Sequence, residues 1–299
     1  MNLMTPAAPA AIDIAQSISH TPGYWTTVIS RLRRDKVTIF FGLVLLTIVL
    51  LAIFAPLFAP ADPYKANIAR RLKEIGFPGH LLGTDQTGRD MLSRLIYGGR
   101  LSLFMGVTPV AIALLVGGLL GVLAGYIGGK LNMAIMRTMD VFYAFPSVLL
   151  AIAISGALGG GISNAILSLT VVFIPPIARV AESVTTQVRS LDYVEAARAS
   201  GASSLRIVRV HVLANVLGAI FVYATSLISV SIILASGLSF LGLGTKPPEP
   251  EWGLMLNELR QAIYVNPYVA ALPGAMIFMT SLSFNLLSDG LRSAMDLKT

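Results

Sequence analysis

Few side chains in this sequence could do chemistry, and their placement excludes most reactions. There is no cysteine, and the three histidines are His20, His80 and His211. Their scatter lacks the spacing of a metal-ligand set, so no metal is expected. No nucleophile stands beside a base, so no catalytic residue is assigned. The nearest approach to a phosphate-cradling loop is Gly129-Lys130, but Leu131 follows it and Ala124 stands where a glycine is needed. Such a loop also needs Ser or Thr to hold magnesium. The chain is therefore not expected to bind or hydrolyse a nucleotide by that route. Two acids, Asp140 and Glu182, lie near or within apolar stretches. An acid at membrane depth is functional by default. Arg137 and Arg179 precede them by three residues, a spacing that allows pairing on one helix face. Structural ion pairs and direct solute contact both remain open.

The most informative polar segment is Ser190 to Asn215. Leu191 to Ala199 contains good helix formers, with Asp192 and Glu195 near the start, where acids favour the helix dipole. Ala196, Ala197, Ala199 and Ser200 have small side chains that would let this helix lie deep in a groove of another protein. Gly201 permits a sharp exit at positive φ. Leu205, Ile207, Val208, Val210 and Val212 then resume an apolar surface. The segment reads as a short helix, a turn and a second short helix. It is either a docking element or an amphipathic helix lying at the headgroups.

The elements that position these residues must be membrane helices. The sequence is 55% hydrophobic and 12% charged, against roughly 25% charge in a soluble domain. Lipid is the surface such a chain can face. The net charge of +7 then reads as Lys and Arg at cytoplasmic membrane edges and not as a nucleic-acid surface. Uncharged stretches run over Val37–Ala61, Leu101–Gly129, Val141–Ala178, Val212–Thr245 and Gln261–Ser288. The third is long enough for two crossings and contains Gly156 and Gly159 to Gly161, which can reverse the chain. Six helices are expected, near 37–59, 101–127, 138–157, 164–188, 213–241 and 267–288. Pro175-Pro176 could break the fourth.

Arg31, Arg33, Arg34 and Lys36 precede the first crossing and put the N-terminus in the cytoplasm. Six crossings return the C-terminus there. Residues 1–36 are expected to form a cytosolic tail, flexible over Met1 to Tyr24 and without the features of a cleaved signal. Residues 60–100 should lie outside, 101–290 should form the transmembrane domain with the 190–212 loop in the cytosol, and 291–299 a cytosolic tail. One conflict remains. The external 60–100 segment carries Lys65, Arg70, Arg71, Lys73, Arg89, Arg94 and Arg100, with Asp62, Glu74, Asp85 and Asp90 as partial offset. Gly117, Gly121, Gly125 and Gly129 recur every fourth residue along the second crossing. They predict a close helix contact, static or sliding.

Several segments resemble one family. Glu195-Ala196-Ala197 followed by Gly201, with Tyr193 and Val194 before it, is similar to the EAA loop of importer-type ABC transporter permeases. Ala214 stands where that loop usually has proline. Leu82 to Asp90 with Ser93-Arg94, Met136 to Asp140 with Phe145-Pro146, Leu238 to Gly244, Pro247 to Gly253 and Phe284 to Arg292 resemble dipeptide/oligopeptide/nickel-type permeases, in particular the second permease subunit of such systems.

The resemblance implies an all-α, N-in/C-in, type I ABC importer permease fold of six transmembrane helices in a bacterial inner membrane. It implies a homologous second permease subunit, two ATP-binding subunits that carry the ATP and Mg, and an extracytoplasmic binding protein. Tyr193, Glu195, Ala196, Ala197, Gly201 and Leu205 would couple to the ATPase. Asp85, Arg89, Pro250 and Trp252 are expected to meet the binding protein, with a membrane-interface anchor as the other reading of Trp252. Solutes of this family include dipeptides, longer peptides, glutathione, opines and nickel chelates. The rival reading is a secondary transporter driven by an ion gradient, for which inverted repeats and paired broken helices would be the sign. No matching proline pair occurs in the first half. A channel or intramembrane enzyme lacks any visible charge ring or catalytic pair.

Overall fold

A computed structural model describes residues 24–295. Helix α1 (Tyr24–Arg34) leads into α2 (Lys36–Ile53) and the single turn α3 (Ala55–Phe58). A turn-rich segment follows, and then α4 (Met91–Ile127), α5 (Gly129–Tyr143), α6 (Ser147–Leu158) and α7 (Ile162–Arg189). Next come α8 (Asp192–Ala199) and α9 (Ser204–Ile207), which runs on into α10 (Leu213–Phe240). The last elements are α11 (Trp252–Leu259) and α12 (Pro267–Met295). Five described helices are long and apolar enough to cross a bilayer, and α5 with α6 makes a sixth if that bent pair is one span. The expected all-helical membrane architecture is what is found.

The differences from the expected boundaries have local causes. Residues 24–34, expected as tail, are helical and pack against α12 and α2. The Met1 to Tyr24 tail lies almost wholly outside the described residues, as do residues 296–299 of the 291–299 tail. Asp35 starts α2 by accepting hydrogen bonds from the Val37 and Thr38 amides. The second crossing begins at Met91, ten residues before the first uncharged position, because Asp90 caps it through the Ser93 amide and hydroxyl. The third crossing is bent by 87° between α5 and α6. Pro146 follows Phe145 at the break, and a residue before proline is pushed out of the helical region. The reversal expected in the glycine cluster occurs at Gly159 to Gly161. Pro175 and Pro176 do not break α7, which is continuous through both.

The helices pack around two apolar clusters. One joins α4, α7 and α10 and includes Met105, Leu169, Phe173, Ile177 and Ile220. The other joins α2, α4, α11 and α12 around Met91, Leu95, Trp252 and Met255. The tightest seam is α4 on α7. A methyl at Gly117 would come within 2.7 Å of the Ile174 carbonyl, at Gly121 within 2.3 Å of the Ala178 carbonyl, and at Gly125 within 2.7 Å of the Glu182 carbonyl. Only absent side chains allow backbones this close. Gly129 departs from the expected stripe. Gly128 ends α4, so Gly129 opens α5 and has nothing within reach of a methyl.

Candidate functional site

The 190–215 loop is anchored at both ends and exposed between them. Arg189, the last residue of α7, donates to the Gly125 and Tyr126 carbonyls at 3.2 and 2.9 Å and so caps the end of α4. Its place at the end of an apolar run was the only sequence sign of that role. Val194 is fully buried against the first apolar cluster and pins α8 to the bundle. Tyr193, Glu195 and Ala196 are exposed, Ala197 half-exposed, and Leu205 stands 79% exposed.

Helix α8 ends as the sequence requires. Gly201 has φ +81°. Its amide bonds to the Arg198 carbonyl and the Ala202 amide to the Ala197 carbonyl, which together satisfy the helix end. No atom lies within 4 Å of a methyl placed at Gly201, so the demand for glycine is purely a backbone one. The second short helix is not separate: α9 passes through a π-turn at Val208–Val212 into α10. With Ala214 in place of proline, nothing interrupts this junction. Asn215 donates to Tyr193 Oη at 3.1 Å and to the His211 carbonyl at 2.6 Å. The loop thus leaves Tyr193, Glu195, Ala196, Gly201 and Leu205 exposed and Ala197 half-exposed. Helix α8 follows α7 after a two-residue turn and is joined to α10 through α9 and the Asn215–Tyr193 bond.

At the opposite end of the bundle the expected contact residues are buried. Asp85, Arg89, Pro250 and Trp252 all lie inside the protein, Trp252 at 1% exposure. Trp252 donates from its indole to the Leu95 carbonyl at 2.9 Å and fills the space left by Gly98 and Gly99. Neither a surface contact nor a headgroup anchor fits that position, so this expectation is corrected. Arg89 and Arg94 both donate to Glu258 at 2.9 Å, and Asp85 accepts from Arg89 at 2.6 Å. Arg100 caps α2 through the Ala52 and Ile53 carbonyls at 2.7 and 2.8 Å. Glu258 went unnoticed in the sequence, since nothing in its neighbourhood marks it. This network answers part of the charge conflict: Arg89, Arg94 and Arg100 are consumed internally. Burial pushes the Glu251 carboxyl above the usual carboxylate value, against amides of Gly253 and Leu254 that lower it.

Inside the membrane region, Asp140 is ion-paired with Arg179 of α7, with Arg137 farther away at 3.8 Å. Glu182 does not pair with Arg179. It accepts from Asn132 at 2.6 Å and from Thr186 at 3.2 Å. The pairing runs between helices and not along one, because α5 and α7 pack side by side.

The chain matches the family described as "Binding-protein-dependent transport system inner membrane component" over residues 117–299, and "N-terminal TM domain of oligopeptide transport permease C" over residues 23–74. It is 41% identical to the glutathione transport system permease protein GsiD of Pectobacterium atrosepticum, over 92% of this chain and 91% of that one. It is 38% identical to the dipeptide transport system permease protein DppC of Alkalihalophilus pseudofirmus, over 99% and 96%. It is 44% identical to the di/tripeptide transport system permease protein DppC of Pseudomonas aeruginosa, over 86% of each. The inward-facing MetNI methionine ABC transporter is similar in fold, with TM-score 0.57 and 20% identity over 68% of this chain and 97% of that one. With crossings, glycine seam and exposed loop already in place, these matches show that the chain belongs to the binding-protein-dependent transport system inner membrane component family, as a multi-pass permease of the bacterial inner membrane.

Proposed function

We propose that this chain forms half of the translocation pathway of an ATP-driven importer for peptides or peptide-like solutes. Its partners are a homologous second permease subunit, two ATP-binding subunits that hold ATP and Mg, and an extracytoplasmic binding protein. The chain itself supplies no catalytic group. The relatives named for dipeptide, di/tripeptide and glutathione transport support the solute class. They favour this reading over a transporter that runs on an ion gradient alone.

The observation that carries the coupling role is the state of α8. One buried side chain, Val194, holds it to the bundle while Tyr193, Glu195 and Ala196 face outward. In this reading α8 seats in a cleft of an ATP-binding subunit on the cytoplasmic side, with both termini of the chain on that side. When the ATPase pair closes, α8 moves, and its ties to α7 and α10 turn that motion into opening of the pathway. The binding protein would meet exposed residues of the 60–90 segment, among them Ile68, Arg70, Arg71 and Leu81.

The test is coupled activity of the assembled transporter in proteoliposomes. Glu195→Lys should abolish uptake while the subunits still assemble, because it reverses a charge on the docking face. Undiminished uptake with normal ATP turnover would overturn the coupling role of α8. ATP-independent uptake by this chain alone would overturn the importer reading.

A further inference from the structure

Helix α1 (Tyr24–Arg34) carries a one-signed charge out of proportion to its length. Arg31, Arg33 and Arg34 stand in its last turn, and its sequence holds no acid. Lys36 follows as the first residue of α2. The acid between them, Asp35, is turned onto α2. Its carboxylate accepts from the Val37 and Thr38 amides at 3.0 and 3.2 Å and from the Thr38 hydroxyl at 2.5 Å. Arg33, Arg34 and Lys36 are exposed, and among the described residues none of these three forms an ion pair. A single cation would complement the end of a helix dipole. A run of cations with no counter-charge calls for an anionic partner.

The surface beside these charges is apolar. Trp25, Val28, Ile29 and Leu32 follow the i, i+3, i+4, i+7 spacing of one helix stripe. Val28 is buried, and α1 packs against α12 and α2. Ile29 is left 49% exposed. Arg33 follows Ile29 by four residues, so the two share a helix face. On α2, Phe40 follows Lys36 by the same interval and is 58% exposed. Val37, next to Lys36, is also exposed. On each helix, then, a cation stands one turn from an exposed apolar side chain. The first candidate membrane span begins at Lys36, which puts this surface at the border between headgroups and hydrocarbon. Close packing holds it there, since a methyl on Gly290 of α12 would collide with Thr38.

We propose that α1 and the first turn of α2 form a binding surface for acidic phospholipids. Arg33, Arg34 and Lys36 take the headgroup phosphates, the arginines as planar forks and the lysine as a point charge. Ile29, Val37 and Phe40 lie along the acyl chains. A basic amphipathic helix gains leaflet affinity from this combination of buried apolar area and attraction to anionic lipid. Each Lys or Arg beside an acidic leaflet is worth about fivefold in association. An acidic protein surface would satisfy the cations but leave Phe40, inside the span, uncovered. The inference goes beyond the importer reading and does not require it.

The experiment uses the complete transporter in nanodiscs of equal parts phosphatidylcholine and phosphatidylglycerol. The chain has no cysteine, so Ile29→Cys carries a single bimane. Bromine is placed on the acyl chains of one lipid or the other. Brominated phosphatidylglycerol should quench the bimane at least threefold more than brominated phosphatidylcholine, and added salt should shrink that preference. Arg33→Gln with Arg34→Gln and Lys36→Gln should make the two lipids equal while quenching by both persists. Arg33→Lys with Arg34→Lys and Lys36→Arg keeps the charges and should keep the preference, which separates charge from misfolding. Equal quenching by the two lipids in the wild-type background would overturn the proposal. So would a preference that survives in the triple glutamine variant or is lost in the charge-conserving one. Absence of quenching by either lipid would show that a partner subunit covers this face, and would overturn it too.

Discussion

Asn215, in the first turn of α10, donates its side-chain amide to the Tyr193 hydroxyl at 3.1 Å. This bond spans the loop and closes a short mechanical circuit. Helix α8 is connected to α10 through the π-turn at Val208–Val212 and is clipped to it again by this side-chain pair. A clip on an exposed surface contributes little stability, about 0.5–1.5 kcal/mol. Its effect should be on transmission. Tyr193→Phe should leave assembly and folding intact while raising the ATP consumed per solute transported. The ratio is read from parallel uptake and phosphate-release assays, and an unaltered ratio would deny the clip any role.

The backbone at Gly201 makes a second prediction. Its φ of +81° is left-handed, and nothing crowds the position. Gly201→Ala should therefore cost about 1–2 kcal/mol through backbone strain alone. Since strain there unwinds the end of α8, uptake should fall more than thermal stability does. Undiminished uptake and stability in Gly201→Ala would show that the turn tolerates either residue.

The α4–α7 seam supplies a paired test. Gly121→Ala places a methyl 2.3 Å from the Ala178 carbonyl and should destabilise by about 1–3 kcal/mol. Gly118, a neighbour on the same helix, has nothing within 4 Å. Gly118→Ala should be neutral or slightly stabilising, because alanine favours helix. Thermal melting of the detergent-solubilised protein reads both, and equal melting of the two variants would remove the seam.

Trp252 offers a fourth site. Fully buried and bonded to the Leu95 carbonyl, it should cost about 3–5 kcal/mol on truncation to alanine. Photocrosslinks from an analogue at position 252 should reach α4 and not the binding protein. Efficient crosslinking to the binding protein would mean that this end of the bundle opens during transport.

Glu251 predicts a pH dependence. Burial raises its folded value, so the stability it contributes is fully present below the ordinary carboxylate value. That stability is lost as pH rises through the raised one. As pH rises from below the ordinary carboxylate value, the wild-type melting temperature should fall more steeply than that of Glu251→Gln. Parallel slopes would show that Glu251 titrates as an ordinary surface acid.

How much of this was legible in the sequence depends on the range of the interactions. The crossings were legible because an uncharged run long enough to span lipid is a local property. So was the turn at Gly201, where one residue type meets one backbone demand. What failed was assignment of charged and aromatic residues to surfaces. Arg89 and Trp252 look like contact residues because their types are common at interfaces, yet their partners Glu258 and Leu95 lie far away in the chain. The start of α4 was missed for the same reason. Arg94 and Arg100 read as loop charges until Glu258 and the α2 carbonyls are seen to satisfy them. Pairing of Asp140 with Arg179 in place of Arg137 needs the packing of α5 on α7, which no spacing rule contains.

The central claim is that α8 is a docking helix. The chain has no cysteine, so a single cysteine at Ala196 gives an unambiguous probe. We predict that maleimide labelling there is fast in the isolated chain, is suppressed at least tenfold in the assembled transporter, and returns when the ATP-binding subunits are stripped away. Equally fast labelling in an assembly that still hydrolyses ATP and takes up solute would contradict it.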